Sequence, residues 1–149
     1  MRRLGIILVV AGLAARPSAL AAGPDVASQP RIAVVVVEKS EVTRVTLDDL
    51  RELYLRRRRR WPSGAPAIPI NLPPDHLLRE RFSKVVLGRS PADLVSYWDA
   101  RYFEGTIPPA VLSSSEAVRT YLAAEPGAIG YLAMEDARGA CRVVLVLEP

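Results

Sequence analysis

The chain has 149 residues, a length that allows one domain of ordinary size, and half of its residues are hydrophobic. That apolar content excludes a wholly disordered protein. The formal net charge is +4, and it falls to 4 − 3 = +1 once Arg2, Arg3 and Arg16 of the first segment are removed. Nucleic-acid-binding domains are expected to be basic over a whole face, so this charge disfavours nucleic acid as a partner.

Residues 1–21 have the composition of a secretory signal peptide. Two arginines precede an apolar stretch from Leu4 to Ala15, which is too short to span a bilayer comfortably. Ala19 and Ala21 supply the small residues that a signal peptidase requires. We therefore expect cleavage after Ala21, a periplasmic or secreted protein and no membrane span in the mature chain. An uncleaved membrane anchor is the alternative.

Residues 22–30 form a short polar tether, and a single domain is predicted from residue 31 to residue 149. The β-branched run 31–37 predicts a strand that is buried on both faces. Thr46 is a good N-cap for a helix that ends near Leu55, with two aspartates in its first turn.

A second strand is predicted over residues 67–72, and Pro69 within it indicates an edge position. The following helix spans residues 76–87, with Asp75 as its expected N-cap. Apolar residues recur along it at helical spacing, so one face is expected to pack on the sheet.

The next predicted helix opens at Ser90 and carries an aromatic stripe. Aromatic residues at this spacing belong to a hydrophobic core more often than to a ligand platform. We expect the stripe to be buried in the core; its members are Leu94, Tyr97, Trp98 and Tyr102.

Ser113 and Glu116 are spaced as a capping box for a helix through Ala124. Two final strands are predicted over residues 128–132 and 143–147. The order of elements predicts an α/β fold, with one mixed sheet of about four to five strands flanked by helices.

Catalytic and metal-binding side chains are scarce. Cys141 is the only cysteine, so the chain cannot form an internal disulfide. His76 is the only histidine. A His/Cys metal site lacks ligands, and Ser-His-Asp or Cys-His catalysis would depend on His76 alone. We expect no metal, no cofactor and no enzymatic activity.

Two stretches together resemble the phosphate-binding proteins of ABC importers, which have the type 2 periplasmic solute-binding fold. The first runs from Thr46 through the leucines to Tyr54, then Trp61, Gly64 and Ile68-Pro69-Ile70. The second is the run PGAIGY at residues 126–131. The resemblance spans residues 31–149 and implies a non-catalytic domain with the fold of one lobe of such a protein.

The chain departs from that family in two ways. The family has two lobes with the anion between them, whereas a mature chain of this length provides one lobe. The family also holds the oxyanion on a serine-glycine-threonine turn after the second strand. Here residues 71–79 read NLPPDHLLR, and the two prolines have no N–H to donate.

A small set of polar residues could still hold a small oxyanion such as phosphate. Asn71 could donate from its amide, His76 and Arg79 could supply charge, and a serine run could offer hydroxyls at a helix start. Each of them also has an ordinary structural interpretation as a strand end, a cap or a surface residue. The candidate ligand-binding residues are Asn71, His76, Arg79, Ser113, Ser114 and Ser115.

Two functions follow as hypotheses. One is an exported protein that resembles the substrate-binding proteins of phosphate ABC transporters. The alternative is a single-lobe interaction module of the cell envelope, which has lost the anion site and binds a protein partner. Dimerisation of the single lobe stays open in either case.

Five consecutive arginines, Arg56 to Arg60, precede Trp61 and suggest a surface for anionic partners. Their position directly after a helix also allows a structural interpretation, because cations stabilise helix C-termini. Residues 22–149 have a net charge of 1 − 5 = −4 once the run is left out, so the positive charge is local. We therefore expect Trp61 to pack under the turn and the run to be a connector rather than the binding site.

Overall fold

The computed structural model describes residues 29–149 of the chain. The predicted signal peptide and most of the predicted tether lie outside the described residues. In order along the chain the elements are β1 (Ile32–Val37), α1 (Leu47–Tyr54), β2 (Ile68–Asn71), α2 (Leu77–Phe82), α3 (Val95–Phe103), β3 (Ala110–Val111), α4 (Ser115–Ala124), β4 (Ala128–Ala133) and β5 (Cys141–Leu147). Within residues 29–149, no helix has the length and apolar character needed to cross a membrane.

The five strands form one mixed sheet in the order β3-β2-β4-β1-β5. β2 runs parallel to both β3 and β4, while β1 runs antiparallel to β4 and β5. The predicted α/β fold with one mixed sheet of four to five strands and flanking helices is therefore confirmed.

The prediction that β2 lies at an edge is wrong, because the short strand β3 pairs with its outer side. Pairing with β3 begins only at Ile70, opposite Ala110. Pro69 precedes that first pair, and the neighbouring Ile68 directs its N–H to Gly127 on the β4 side. The missing N–H of proline therefore removes no bond from the ladder.

Successive residues of β4 point to opposite faces of the sheet and separate the helices into two layers. A Cβ on Gly130 would lie 3.0 Å from Val118, which shows that α4 packs closely over that face. The next residue, Tyr131, stacks on Phe82 of α2 over the other face. Only a glycine allows α4 to approach β4 this closely.

Helix α1 begins as the sequence predicts. The Thr46 hydroxyl accepts from the Asp49 N–H, and the Asp49 carboxylate accepts from the Thr46 N–H at 2.8 Å. The two bonds form a capping box, in which each side chain accepts from the backbone N–H of the other residue.

Two other caps are shifted by one residue from their predicted positions. His76, rather than Asp75, has the extended backbone of the N-cap of α2, and its Nδ1 accepts from the Leu78 N–H. Ser114, rather than Ser113, caps α4 and accepts from the Ala117 N–H at 3.1 Å. In both cases the cap is the last extended residue before the helix. A sequence pattern locates the start of a helix only to within about one or two residues.

After Phe82 the helix continues as a π-helical segment, Ser83–Leu87, and ends at Gly88, whose φ is +69°. That left-handed conformation suits a glycine at a helix end. The whole stretch directs Leu78, Arg79, Phe82, Ser83 and Val86 into the protein.

The prediction that the aromatic stripe of α3 belongs to the core is wrong. Leu94 is buried just before the helix, but α3 itself contains no fully buried residue. Tyr97 and Trp98 are half-buried, and Tyr102 is 66% exposed. Aromatic spacing identified one face of a helix without identifying what that face packs against.

Candidate functional site

The polar group that stands out is the Arg79 guanidinium, which is buried on the face of α2 that packs on the sheet. Arg79 is only 9% exposed, and its Nε and Nη1 have no hydrogen-bond partner among the described residues. It takes part in none of the six ion pairs formed within residues 29–149. A buried cation in this state has lost its water without gaining a counter-ion.

Tyr131 and Asn71 lie beside this guanidinium. The Tyr131 hydroxyl donates to Asn71 Oδ1 at 3.3 Å and accepts from the Leu72 N–H at 3.2 Å. Burial raises the pKa of Tyr131, and the positive charge of Arg79 opposes that rise. The three side chains therefore form one polar cluster, which we call the Arg79 cluster, at the C-terminal end of β2.

Aromatic rings enclose the Arg79 cluster from the side of α1. The Phe82 ring stacks on Tyr131 with centroids 3.9 Å apart and lies 4.6 Å from the Tyr54 ring. The Tyr54 hydroxyl donates towards the carbonyls of Ile70 and Ile129, at 3.0 and 3.2 Å. Burial raises the pKa of Tyr54 well above its ordinary value, and the charge of Arg79 again opposes the rise. Both hydroxyls thus stay protonated at neutral pH.

The chemistry of the Arg79 cluster favours an anion. Its unpaired donors belong to the Arg79 guanidinium, which stays charged in proteins, because the Tyr131 hydroxyl already donates its one hydrogen to Asn71. Charges buried in proteins are paired or solvated, because an isolated one is costly to remove from water. Two buried N–H groups without acceptors therefore offer a place for oxyanion oxygens.

Of the predicted site residues, the structure brings Asn71 and Arg79 together through Tyr131. His76 lies one helical turn before Arg79, but its Nδ1 is used by the cap of α2. Its Nε2 is the ring nitrogen left for another partner.

The serines lie apart from Arg79. They follow β3, whose next residue, Leu112, donates its N–H to the Asn71 carbonyl at 2.8 Å, so they leave the sheet at the same edge. Helix α4 covers the opposite face of the sheet from α2, however. Ser114 is used as a cap, while Ser113 and Ser115 flank it.

The arginine run is bound into the local structure. Arg56 has a left-handed backbone with φ of 57° and donates to the Ala67 carbonyl at 3.4 Å. The partners of the other four, in order, are Glu52 at 3.4 Å, Asp49 at 2.9 Å, the Thr106 hydroxyl at 3.1 Å and the Gly64 carbonyl at 2.7 Å. Trp61 packs under the turn as expected, with its indole N–H donating to the Gly127 carbonyl at 3.1 Å.

A groove of about 310 Å³ lies away from the Arg79 cluster, between residues 41–45 and Trp61. Its walls include Asp49 and Arg58, which are ion-paired to each other. No group of three His, Cys, Asp or Glu side chains that could hold a metal ion occurs within residues 29–149. In the walls of the groove the buried Nε of Arg58 has no partner among the described residues, whereas Arg79 has two such nitrogens.

Sequence reasoning missed the two tyrosines. In the sequence, Tyr54 and Tyr131 stand out only as members of the two stretches that resemble the phosphate-binding proteins. A signal was present, because Tyr131 is the one hydroxyl in the otherwise apolar strand AIGYLA. A buried tyrosine hydroxyl requires a polar partner, which could have directed attention to the neighbouring strand.

No protein-family model matches the chain, and no curated protein matches it. Solved structures do match. A chain from Clostridium perfringens, assigned as a phosphate ABC transporter substrate-binding protein and solved with bound phosphate, has a TM-score of 0.63 and 17% identity over 77% of this chain and 45% of its own.

Two further solved chains give the same result. An ABC-type phosphate transport receptor from Vibrio cholerae has a TM-score of 0.60 and 13% identity, covering 77% of this chain and 46% of its own. A chain from Planctomyces limnophilus, assigned as a phosphate-binding protein, has a TM-score of 0.54 and 14% identity. The match covers 80% of this chain and 46% of its own. This chain spans about half the length of the solved chains that it matches. It therefore has the α/β fold of about half of each of these solved chains.

Proposed function

We propose that the chain is a non-catalytic solute-binding protein, exported through its first 21 residues, that holds a small oxyanion such as phosphate at the Arg79 cluster. The observation that carries the proposal is the buried Arg79 guanidinium, whose Nε and Nη1 have no partner among the described residues. An oxyanion would supply both the missing charge and the missing acceptors.

The surroundings of Arg79 support an anion rather than a cation or a neutral solute. Neither Tyr131 nor Asn71 carries a negative charge, and burial keeps the Tyr131 hydroxyl protonated. The solved structures of similar fold support the same ligand class, because one of them contains phosphate. The residues that hold the ligand here differ from a serine-glycine-threonine turn, since residues 71–79 contain none of those three residue types.

Isothermal titration calorimetry of the full chain with sodium phosphate and sodium sulfate tests the proposal. We expect saturable binding, weakened about 100-fold or more in Arg79→Gln, because a buried hydrogen bond to a charged ligand is worth several kcal/mol. Arg89→Gln is the matched control, because Arg89 is exposed and belongs to the same segment after α2. Its affinity should equal that of the wild type.

Two results would count against an oxyanion-binding role. Absence of heat with both anions at millimolar concentration would exclude the ligand class. Equal affinities of wild type and Arg79→Gln would show that the anion binds elsewhere. Circular dichroism of each variant shows whether it is folded, so that loss of binding is not confused with unfolding.

A second candidate function is a single-lobe interaction module of the cell envelope. It is supported by helix α3, which contains no buried residue and ends in the 90% exposed side chain of Phe103. This function is an alternative to the first one, because such a module has lost the anion site and binds a protein partner instead. The calorimetric result with phosphate and sulfate decides whether the anion-binding function is present.

A further inference from the structure

Ser83 lies on the buried face of the helix that carries Arg79, and its hydroxyl is unpaired. The residue is 0% exposed, and its Oγ has no hydrogen-bond partner among the described residues. No other hydroxyl within residues 29–149 is buried and unpaired in this way. A hydroxyl that loses its water on burial without gaining a partner costs free energy, so this one requires an explanation.

The usual role of a serine inside a helix does not account for this hydroxyl. Such a hydroxyl commonly bonds to the carbonyl oxygen four residues earlier. Here that carbonyl belongs to Arg79, and it accepts from the backbone N–H of Ser83 while Oγ has no partner among the described residues. The hydroxyl therefore adds no bond to the helix that would explain a polar side chain at a fully buried position.

Ser83 and Arg79 are one helical turn apart on the same face. The bond from the Ser83 N–H to the Arg79 carbonyl fixes this spacing, and residues so spaced have Cβ atoms about 5–6 Å apart. Both side chains are buried, and Phe82, which precedes Ser83, stacks on the Tyr131 ring at 3.9 Å. A side-chain hydrogen bond with Arg79 opposes the rise of the Tyr131 pKa, so the guanidinium also reaches the Tyr131 hydroxyl.

This pairing of unsatisfied groups occurs at one place among the described residues. Five of those residues have a buried side-chain nitrogen or oxygen without a partner, and only Arg79 and Ser83 lie on one helix face. The others are Arg56, Arg58 and Arg101. Of the two unpaired nitrogens of Arg79, Nε is the first along the side chain and so the closer to the helix backbone.

We propose that the Ser83 hydroxyl is a further ligand of the oxyanion held at the Arg79 cluster, an inference that rests on the proposed function. The hydroxyl donates its one hydrogen to one oxygen of the anion, and Arg79 donates to the others. A tetrahedral anion such as phosphate or sulfate suits this arrangement, because its oxygens point in different directions and can meet donors from two side chains.

A buried water molecule is the other possible partner of the hydroxyl. Water would pair Ser83, but it would leave the positive charge of Arg79 without a counter-ion. An anion supplies the acceptor for the hydroxyl and the charge for the guanidinium together. The position of an unpaired hydroxyl one turn from an unpaired cation therefore favours the anion.

Isothermal titration calorimetry of the full chain with sodium phosphate tests the inference. Ser83→Ala should weaken phosphate binding about tenfold, because it removes one hydrogen bond to a charged ligand and leaves Arg79 in place. Ser96→Ala is the matched control, since Ser96 is an exposed serine of α3. The control should bind phosphate with the affinity of the wild type.

Thermal unfolding in buffer without phosphate or sulfate separates a ligand role from a structural one. Ser83→Ala removes an unpaired buried hydroxyl and introduces a better helix former, so its Tm should rise by roughly 2–5 °C. A serine that stabilises the fold through its hydroxyl would instead lower the Tm when replaced. The increase in Tm that phosphate produces should be smaller in Ser83→Ala than in the wild type.

Two results would overturn the inference and leave the proposed function intact, provided that Arg79→Gln still loses binding. Equal phosphate affinities of Ser83→Ala and the wild type would indicate water as the partner of the hydroxyl. A lower Tm of Ser83→Ala in anion-free buffer would show that the hydroxyl is paired within the protein. A wild type that binds neither phosphate nor sulfate would overturn the proposed function, and this inference with it.

Discussion

Two regions of the chain present arginine in opposite ways. The run Arg56 to Arg60 concentrates five positive charges, yet each of them donates to a carboxylate, a hydroxyl or a carbonyl of its own surroundings. Arg79 is a single charge inside the protein, and two of its nitrogens donate to nothing among the described residues. Every arginine of the run therefore has at least one side-chain bond, although the Nε of Arg56 and of Arg58 is unpaired, whereas Arg79 has two unpaired nitrogens.

The difference shows that charge density in a sequence is a poor guide to a binding site. Exposed arginines are stabilised by water wherever they lie, so their number requires no ligand. A buried guanidinium has no water around it, so leaving its N–H groups without hydrogen-bond acceptors costs free energy. For this protein the unpaired state of Arg79 depends on burial and hydrogen bonding, neither of which can be counted from residue letters.

The largest effect expected near the arginine run comes from its tryptophan. Trp61→Ala removes a buried ring and its bond to the Gly127 carbonyl, and should lower the free energy of unfolding by about 3–5 kcal/mol. Trp98→Ala, on half-buried α3, should cost about 1 kcal/mol. Urea denaturation followed by circular dichroism measures both. Equal losses would show that Trp61 does not hold this segment to the core.

At the other region, Arg79→Met should increase stability. Replacing an uncompensated buried charge by an apolar side chain of similar length should raise the free energy of unfolding by about 1–4 kcal/mol in buffer without phosphate or sulfate. Phosphate at 100 times its Kd should then stabilise the wild type by about 2.7 kcal/mol and the variant by far less. A variant that is less stable than the wild type in anion-free buffer would mean that Arg79 is already satisfied within the protein.

The smallest effect belongs to the run itself. Arg58→Gln breaks the half-exposed pair with Asp49 and should cost about 0.5 kcal/mol at pH 7, while Arg57→Gln should cost less, because its pair with Glu52 is longer and more exposed. Hydrogen bonds from Thr46, and secondarily Arg58, hold the pKa of Asp49 below its ordinary value. That stabilisation is present above the unfolded-state pKa and is lost as pH falls through the folded-state value.

Denaturation of wild type and Arg58→Gln across that acidic range checks the sign of the effect. The two stability curves should be separated at neutral pH and should converge as Asp49 becomes protonated. A separation that stays constant to the lowest pH would show that Arg58 acts through contacts other than Asp49.

The helices and strands with strong periodic patterns were predicted correctly, including β1, α1 with Thr46 as its N-cap, and the last two strands. Features that depend on contacts with other elements of the fold were not predicted. β3 consists of two residues, so it has no pattern of its own and exists because it pairs with β2. The aromatic stripe of α3 was assigned to the core because spacing identifies a helix face but not its partner.

The candidate site shows the same division. Asn71 and Arg79 were selected from the residue types that follow the second strand, but the sequence ranked them no higher than His76 or the serines. Tyr131 enters the cluster from β4, whose pairing beside β2 joins residues that are 60 positions apart. No local pattern carries that information, because it depends on strand order.

The sequence by itself determined the α/β class, the strand and helix order and the resemblance to one lobe of a periplasmic binding protein, since these follow from periodicity and local motifs. Only the tertiary structure decided which arginine is buried with two unpaired nitrogens. Burial removes water from Arg79, and its Nε and Nη1 find no partner among the described residues. Burial and pairing depend on contacts between residues that are far apart in the sequence, and local patterns do not specify those contacts.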